Sequence, residues 1–308
     1  MSWKISYILL TFVLCSCAKD KISAKTNTDP KSLIEAHEVQ SLYKLQDIKL
    51  IDFRTETEYN NGHIPGAQNL WRTDIENKSY PYKGIMASKT QIEALFSELG
   101  VSNKDDIIIY DDRGMCEATR LWWILENYGF KNIKLLNGGF SAWKAIDGQV
   151  DTITPVFDKT NFKLSESPEM HLYISKEQLK ELLNSRIKIV DTRSKNEYLG
   201  KFAKTGANRP GRIPGSIHLD WADLINFHGD KRLKPINELE RIVSKLNINK
   251  NDSIVLYCHS GVRSAHTTFV LRQILGYKNV MNYDGSWTEW SYYNELPFEN
   301  DYVAINKN

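Results

Sequence analysis

The chain has 308 residues, against roughly 100–200 for a compact domain, so two domains are expected. Its 40 basic and 38 acidic residues leave a formal charge of +2, which argues against nucleic acid as a partner. A hydrophobic share of 41% with 11% aromatics excludes wholesale disorder, and four cysteines are too few for a disulfide scaffold.

Residues 1–17 read MSWKISYILLTFVLCSC. Lys4 gives a short positive region, and the apolar run Ile5 to Leu14 is too short for a span of roughly 20 residues but suits an export signal. Leu14-Cys15-Ser16-Cys17 resembles a bacterial lipobox, in which cleavage before Cys17 leaves that cysteine to carry the lipid. The alternative is an ordinary secretory signal that contains cysteines. Residues 18–32 are polar and read as a tether. No later segment is long and apolar enough to cross a membrane. Contact with the membrane is therefore expected through the lipid anchor only, in the cell envelope outside the cytoplasm.

Two related units follow, at 33–147 and 171–300, joined by a linker over 148–170 that contains Pro155 and Pro168. Residues 106–112 (DIIIYDD) and 253–259 (SIVLYCH) are short apolar runs rich in β-branched residues and read as buried strands. Each leads through a glycine-containing loop into a helical pattern. Tyr110 to Trp143 aligns with Tyr257 to Trp290 at a constant offset of 147, with eight of 34 positions identical, among them Gly114/Gly261, Gly138/Gly285 and Trp143/Trp290. Upstream, Asp52-Phe53-Arg54 matches Asp191-Thr192-Arg193, and Glu58-Tyr59 matches Glu197-Tyr198. Gly62-His63-Ile64-Pro65-Gly66 matches Gly211-Arg212-Ile213-Pro214-Gly215, with ten extra residues in the second copy between Tyr198 and Gly211. Alternating strands and helices in both units predict an α/β fold, each domain a mostly parallel sheet flanked by helices.

Asp-x-Arg, Glu-Tyr, Gly-His-Ile-Pro-Gly-Ala, Cys-x-x-Gly-Val-Arg opening a helix, and Asp-Gly-Ser-Trp, in that order, resemble the rhodanese domain. Two copies in tandem resemble the two-domain thiosulfate and 3-mercaptopyruvate sulfurtransferases. The resemblance implies an active cysteine in the second copy and a first copy that has lost its own. Position 258 is Cys, and the aligned position 111 is Asp.

Cys258 ends a strand and opens the loop CHSGVR, which runs into a helix. Loop amides and a helix N-terminus favour negative charge, so the thiolate should be stabilised, and later a persulfide. Four residues separate Cys258 from Arg263, whereas phosphatases of related fold use five; the shorter loop suits a sulfur atom. Arg263 is expected to hold the anionic end of a donor, and Arg193 matches a substrate-binding arginine of the family. The other reading of Arg193 is an ion pair with Glu197 or a neighbour. His259, Ser260, Gly261 and Val262 are expected to contact donor or sulfur through side chains or amides, the alternative for His259 and Ser260 being solvent-facing filler. Asp191 and Asp284 are expected to support the strand end and the loop. Cys116, aligned with Arg263, is either a buried thiol or a second sulfur relay. No His or Cys pair has metal-ligand spacing, so neither metal nor cofactor is assigned.

These residues point to a sulfurtransferase, acting as a monomer, that moves sulfane sulfur from a small anionic donor to a thiol or cyanide acceptor through a Cys258 persulfide. Thiosulfate is favoured as donor over 3-mercaptopyruvate, although His-Ser after the cysteine matches neither branch cleanly. A reading from another class is a non-catalytic sulfur carrier or binding module.

Overall fold

A computed structural model of the chain describes residues 32–302 apart from Gln46. The export signal, Cys17 and residues 18–31 lie outside the described residues. Among the described residues, no helix is long and apolar enough to cross a membrane.

The first copy runs β1 (Leu33–Ile34), α1 (Ala36–Leu42), β2 (Ile48–Asp52), α2 (Glu56–Asn60), β3 (Gln68–Asn69), α3 (Lys89–Glu98), β4 (Asp106–Tyr110), α4 (Ala118–Asn127), β5 (Ile133–Leu136) and α5 (Gly139–Lys144). The second runs β6 (Tyr173–Ile174), α6 (Lys176–Leu182), β7 (Lys188–Asp191), α7 (Lys195–Tyr198), β8 (Ile217–His218), α8 (Ile236–Ser244), β9 (Ser253–Tyr257), α9 (Val262–Phe269), β10 (Asn279–Tyr283) and α10 (Ser286–Tyr292). Each copy builds a five-stranded sheet with the same order, β1-β5-β4-β2-β3 and β6-β10-β9-β7-β8, and every pairing is parallel. The central strands β4 and β9 are buried on both faces, which is why their sequences are continuous apolar runs rather than alternating ones.

Local sequence sets the helix starts. Thr55, Ser88, Ser175 and Ser194 each accept the N3 backbone N–H, and the Glu or Gln at N3 reaches back to the cap, closing four capping boxes.

The copies share a core across helices α4 and α9. Ala265 and Phe269 of α9 belong to the first copy's apolar cluster, and Trp122 meets Phe269 edge to face at 5.0 Å. Residues 148–170 also differ from a free linker. Phe162 is fully buried between Phe96 and Phe130, and Leu164 donates its N–H to Glu93, so this segment is packed along α3. The linker read over 148–170 thus joins the copies while burying its own Phe162 and Leu164.

Candidate active site

The Asp-x-Arg pairs come first because they occur in both copies. Arg54 Nε lies 2.9 Å from Asp52, and its Nη2 donates to Gly62 O at 2.8 Å. Arg193 Nε lies 2.9 Å from Asp191, and its Nη2 donates to Gly211 O at 2.7 Å. Tyr110 and Tyr257 repeat as well, each hydroxyl accepting the backbone N–H of Ile64 or Ile213 at 3.1 Å. The same staple thus ties the strand end to the Gly-x-Ile-Pro turn whether or not a cysteine follows. Arg193 is 2% exposed and lies outside the catalytic cavity, so the structure does not place it where a donor could touch it. Its charge is committed to Asp191, which also accepts the Tyr257 hydroxyl at 2.7 Å.

Cys258 stands immediately after β9, and Gly261 turns the loop in the left-handed region (φ 75°) so that α9 can begin at Val262. One hydroxyl organises the loop from behind. Ser286 Oγ accepts the N–H of Cys258 at 3.1 Å and of Gly261 at 3.0 Å, while donating to Tyr283 O at 2.8 Å. Ser286 itself sits at φ 49°, a strained region for a non-glycine residue, where the first copy has Gly139 at φ 59°. Asn282 Nδ2 donates to Gly261 O at 3.0 Å, and the N–H groups of Trp287 and Thr288 donate to Cys258 O and His259 O.

The first copy displays what such a loop holds. Asp111, at the position aligned with Cys258, accepts the N–H groups of Arg113, Met115, Glu117 and Ala118 at 2.8–2.9 Å. Asp111 is buried, and even these donors do not fully compensate for its loss of solvent, so its carboxyl is pushed up to about 6. In the second copy burial likewise opposes the Cys258 thiolate, but the Arg263 charge, then the polar Ser264 hydroxyl and the amides of Ser264 and Ser260 beside the sulfur, outweigh it. The thiol falls below its ordinary value.

Arg263 lines the cavity, yet its guanidinium is bound two-pronged by Glu197, at 2.7 and 2.9 Å. Burial works against that carboxylate, but Arg263 and Ser194 bring Glu197 down to about 2. Arg263 therefore polarises the sulfur from a fixed seat, and a donor's anionic end would have to compete with Glu197 for it. His259 Nε2 lies 3.1 Å from Thr205 O; a carbonyl only accepts, so that nitrogen carries the proton. Burial, then the charges of Lys204 and Arg263, lower the imidazole to about 4, so it is neutral at working pH. Asp284 accepts no loop amide; its carboxylate binds Arg120 and the Met86 N–H from the first copy. Cys116 is a buried free thiol raised well above its usual value, by burial and then by Glu117 and Asp111.

Cys258, His259, Ser260, Val262 and Arg263 meet in a cavity of about 350 Å³ between the copies. The first copy contributes Arg72, Arg113, Cys116 and Glu117, and the second adds Trp221, Phe227, Lys204 and Lys231. Sequence reasoning missed Ser264, Ser286, Lys204 and Arg113. Only Ser286 lay inside a motif already singled out, Asp-Gly-Ser-Trp. Among the described residues, no cluster of three His, Cys, Asp or Glu side chains could hold a metal ion.

The rhodanese-like domain model matches residues 35–146 and again 175–292. The chain belongs to the rhodanese family. It is similar to thiosulfate sulfurtransferase of Corynebacterium glutamicum, with 31% identity over 280 residues covering 88% of this chain and 91% of the relative. It is also similar to the sulfur carrier protein TtuD of Thermus thermophilus, with 32% identity over 274 residues covering 85% and 94%. Among solved structures it resembles the anaerobic ergothioneine biosynthesis enzyme of Chlorobium limicola, with TM-score 0.76 and 22% identity, covering 88% of this chain and 70% of that one. YnjE gives TM-score 0.74 at 25% identity, covering 88% and 68%. This tandem rhodanese is a sulfurtransferase, and its second copy has Cys258 where the first has Asp111.

Proposed function

We propose that this rhodanese transfers the outer sulfur of thiosulfate to a thiophilic acceptor through a persulfide on Cys258. The observation that carries this reading is the Cys258 loop, a tight amide nest with Arg263 and Ser264 that lowers a buried thiol. The thiolate attacks the outer sulfur of the donor. The donor's sulfur–sulfur bond breaks, sulfite leaves with the electron pair, and the loop amides hold the persulfide. A thiol or cyanide then attacks the outer sulfur, and Cys258 departs as thiolate. Two half-reactions of this kind predict ping-pong kinetics.

With Arg193 and Arg263 committed to carboxylates, the donor's anionic end falls to other cations at the cavity. Lys204 enters no ion pair among the described residues, and Arg113 makes only a 4.0 Å contact with Glu58. A relative named thiosulfate sulfurtransferase at 31% identity supports thiosulfate as donor. The relative named a sulfur carrier supports a second reading, delivery of the sulfur to a protein thiol. Steady-state kinetics with thiosulfate and 3-mercaptopyruvate side by side test the donor: a higher kcat/KM for 3-mercaptopyruvate overturns the thiosulfate assignment.

We further propose that Cys17 carries a lipid and anchors the domains in the cell envelope, on the strength of the lipobox-like Leu14-Cys15-Ser16-Cys17. Metabolic labelling with a fatty acid should mark the chain and be lost in Cys17→Ser; labelling that persists overturns the anchor.

A further inference from the structure

The copy without a catalytic cysteine reaches the rear of the loop that has one. Arg120, on α4, is 3% exposed and stacks over the Trp123 ring at 4.7 Å. Its Nη2 donates to Asp284 Oδ1 at 2.5 Å and to Gly84 O at 2.7 Å. Asp284 takes the Met86 N–H on its other oxygen at 3.1 Å, so one carboxylate of the second copy is gripped twice by the first. Two residues on is Ser286, whose hydroxyl holds the amides of Cys258 and Gly261.

Contact with the loop itself is just as close. A Cβ built on Gly261 would stand 2.8 Å from Arg120 Nη1 and 2.6 Å from Asp284 O, so no side chain fits between loop and guanidinium. A Cβ on Gly84 would stand 2.7 Å from Ser260 Cβ, which puts the segment Tyr82–Met86 directly against the loop. Thr288 Oγ1 donates to Lys83 O at 3.2 Å and Tyr82 Oη to Glu289 at 2.8 Å, pinning the same segment to α10. Arg120 Nη1 has no hydrogen-bond partner, an expensive way to bury a guanidinium if its task were only to pair with Asp284.

We infer that Arg120 is a positioning residue for the Cys258 loop: with the Tyr82–Met86 strap it fixes Asp284 and Gly261 and keeps the amide nest closed around the sulfur. This rests on the reading of Cys258 as the reacting thiol. It gives the first copy, which has Asp111 in place of the reacting cysteine, a part in the reaction.

The alkylation arm of the test reads the loop without any sulfur donor, so it alone decides the proposal, independently of the donor assignment. The pH dependence of Cys258 alkylation by iodoacetamide is measured in the full two-domain protein for wild type, Arg120→Lys, Asp284→Asn and Gly84→Ala. Arg54→Lys, which disturbs the equivalent buried pair with Asp52 inside the first copy, is the control. In all three test variants the alkylation midpoint should rise by about one unit. With thiosulfate their kcat should fall about tenfold at little change in KM, as expected for a displaced reacting group. Arg54→Lys should lower the melting temperature and leave the midpoint unmoved. If Arg120→Lys does not fold, Gly84→Ala and Asp284→Asn carry the test. An unshifted midpoint in the folded variants, whatever their melting temperatures, overturns the proposal and leaves Arg120 a purely structural pair.

Discussion

Asp111 and Cys258 occupy the same place in the two copies: each follows the central strand and opens a loop into a helix, and four loop amides donate to the Asp111 carboxylate. The carboxylate in the first copy is a standing demonstration that this loop is built for an anion. The second copy differs by adding Arg263 at the position where the first has Cys116. The activated group therefore needs both parts, the nest and the arginine.

Arg263→Gln should accordingly raise the midpoint of Cys258 alkylation by about one unit or more, since it removes the nearest positive charge while the amides remain. The pH–rate profile with iodoacetamide reads this directly. A profile that does not move would assign the activation to the amides alone.

Ser286 holds a left-handed conformation that glycine would adopt without strain, and its hydroxyl holds two loop amides. In Ser286→Gly the relief of roughly 1–2 kcal/mol of backbone strain offsets only part of the cost of the unpaired loop amides, about 1–3 kcal/mol each, so the melting temperature should fall only moderately. Turnover should nevertheless fall about tenfold, because the loop is no longer held. Thermal melts and kcat on the same preparation check both halves.

Arg193→Met should behave as a stability variant. Leaving the buried Asp191 unpaired costs about 3–5 kcal/mol, and Arg54→Met in the first copy should cost the same. Neither should change KM for the donor more than about twofold, whereas Lys204→Ala and Arg113→Ala should raise KM with little effect on kcat. Urea unfolding and donor titrations separate the two groups.

Stability should fall on mild acidification. His259 and His266 are lowered to about 4 and about 3 by burial, while the unfolded chain protonates them near 6.5. Below that pH the unfolded state takes up protons that the folded state refuses. Stability is complete above about 6.5 and is lost toward pH 4, at up to roughly 2.7 kcal/mol per unit for the two histidines, offset below about pH 6 by up to roughly 1.4 kcal/mol per unit as the buried Asp111, raised to about 6, takes up a proton in the folded state. Urea midpoints between pH 7.5 and 4.5 should show this net slope, and His266→Phe, which removes one of the two histidines, should lower it by up to roughly 1.4 kcal/mol per unit.

The duplication, the mostly parallel sheets and the Cys258 loop were legible because identical residues recur at constant offsets and because buried parallel strands are continuous apolar runs, whereas the order of the strands was not. What was not legible is which arginine is spoken for. Arg193 and Arg263 look alike in sequence, and their carboxylate partners differ in distance along the chain: Asp191 is two residues away and Glu197 sixty-six. Lys204 lies in the ten-residue insertion, which carries no pattern, and only the folded chain puts Thr205 against His259 and Lys204 at the cavity. Arg120 acts across the domain boundary, and no spacing within its own helix points to a loop in the other copy.

The most direct test of the central claim is the mass of Cys258 after the protein, without its first 17 residues, is exposed to thiosulfate. The account predicts a gain of one sulfur atom on the peptide containing Cys258, removed by cyanide and absent in Cys258→Ser, together with loss of transfer activity in that variant. Transfer that survives Cys258→Ser, or added sulfur found on Cys116 and not on Cys258, would contradict it.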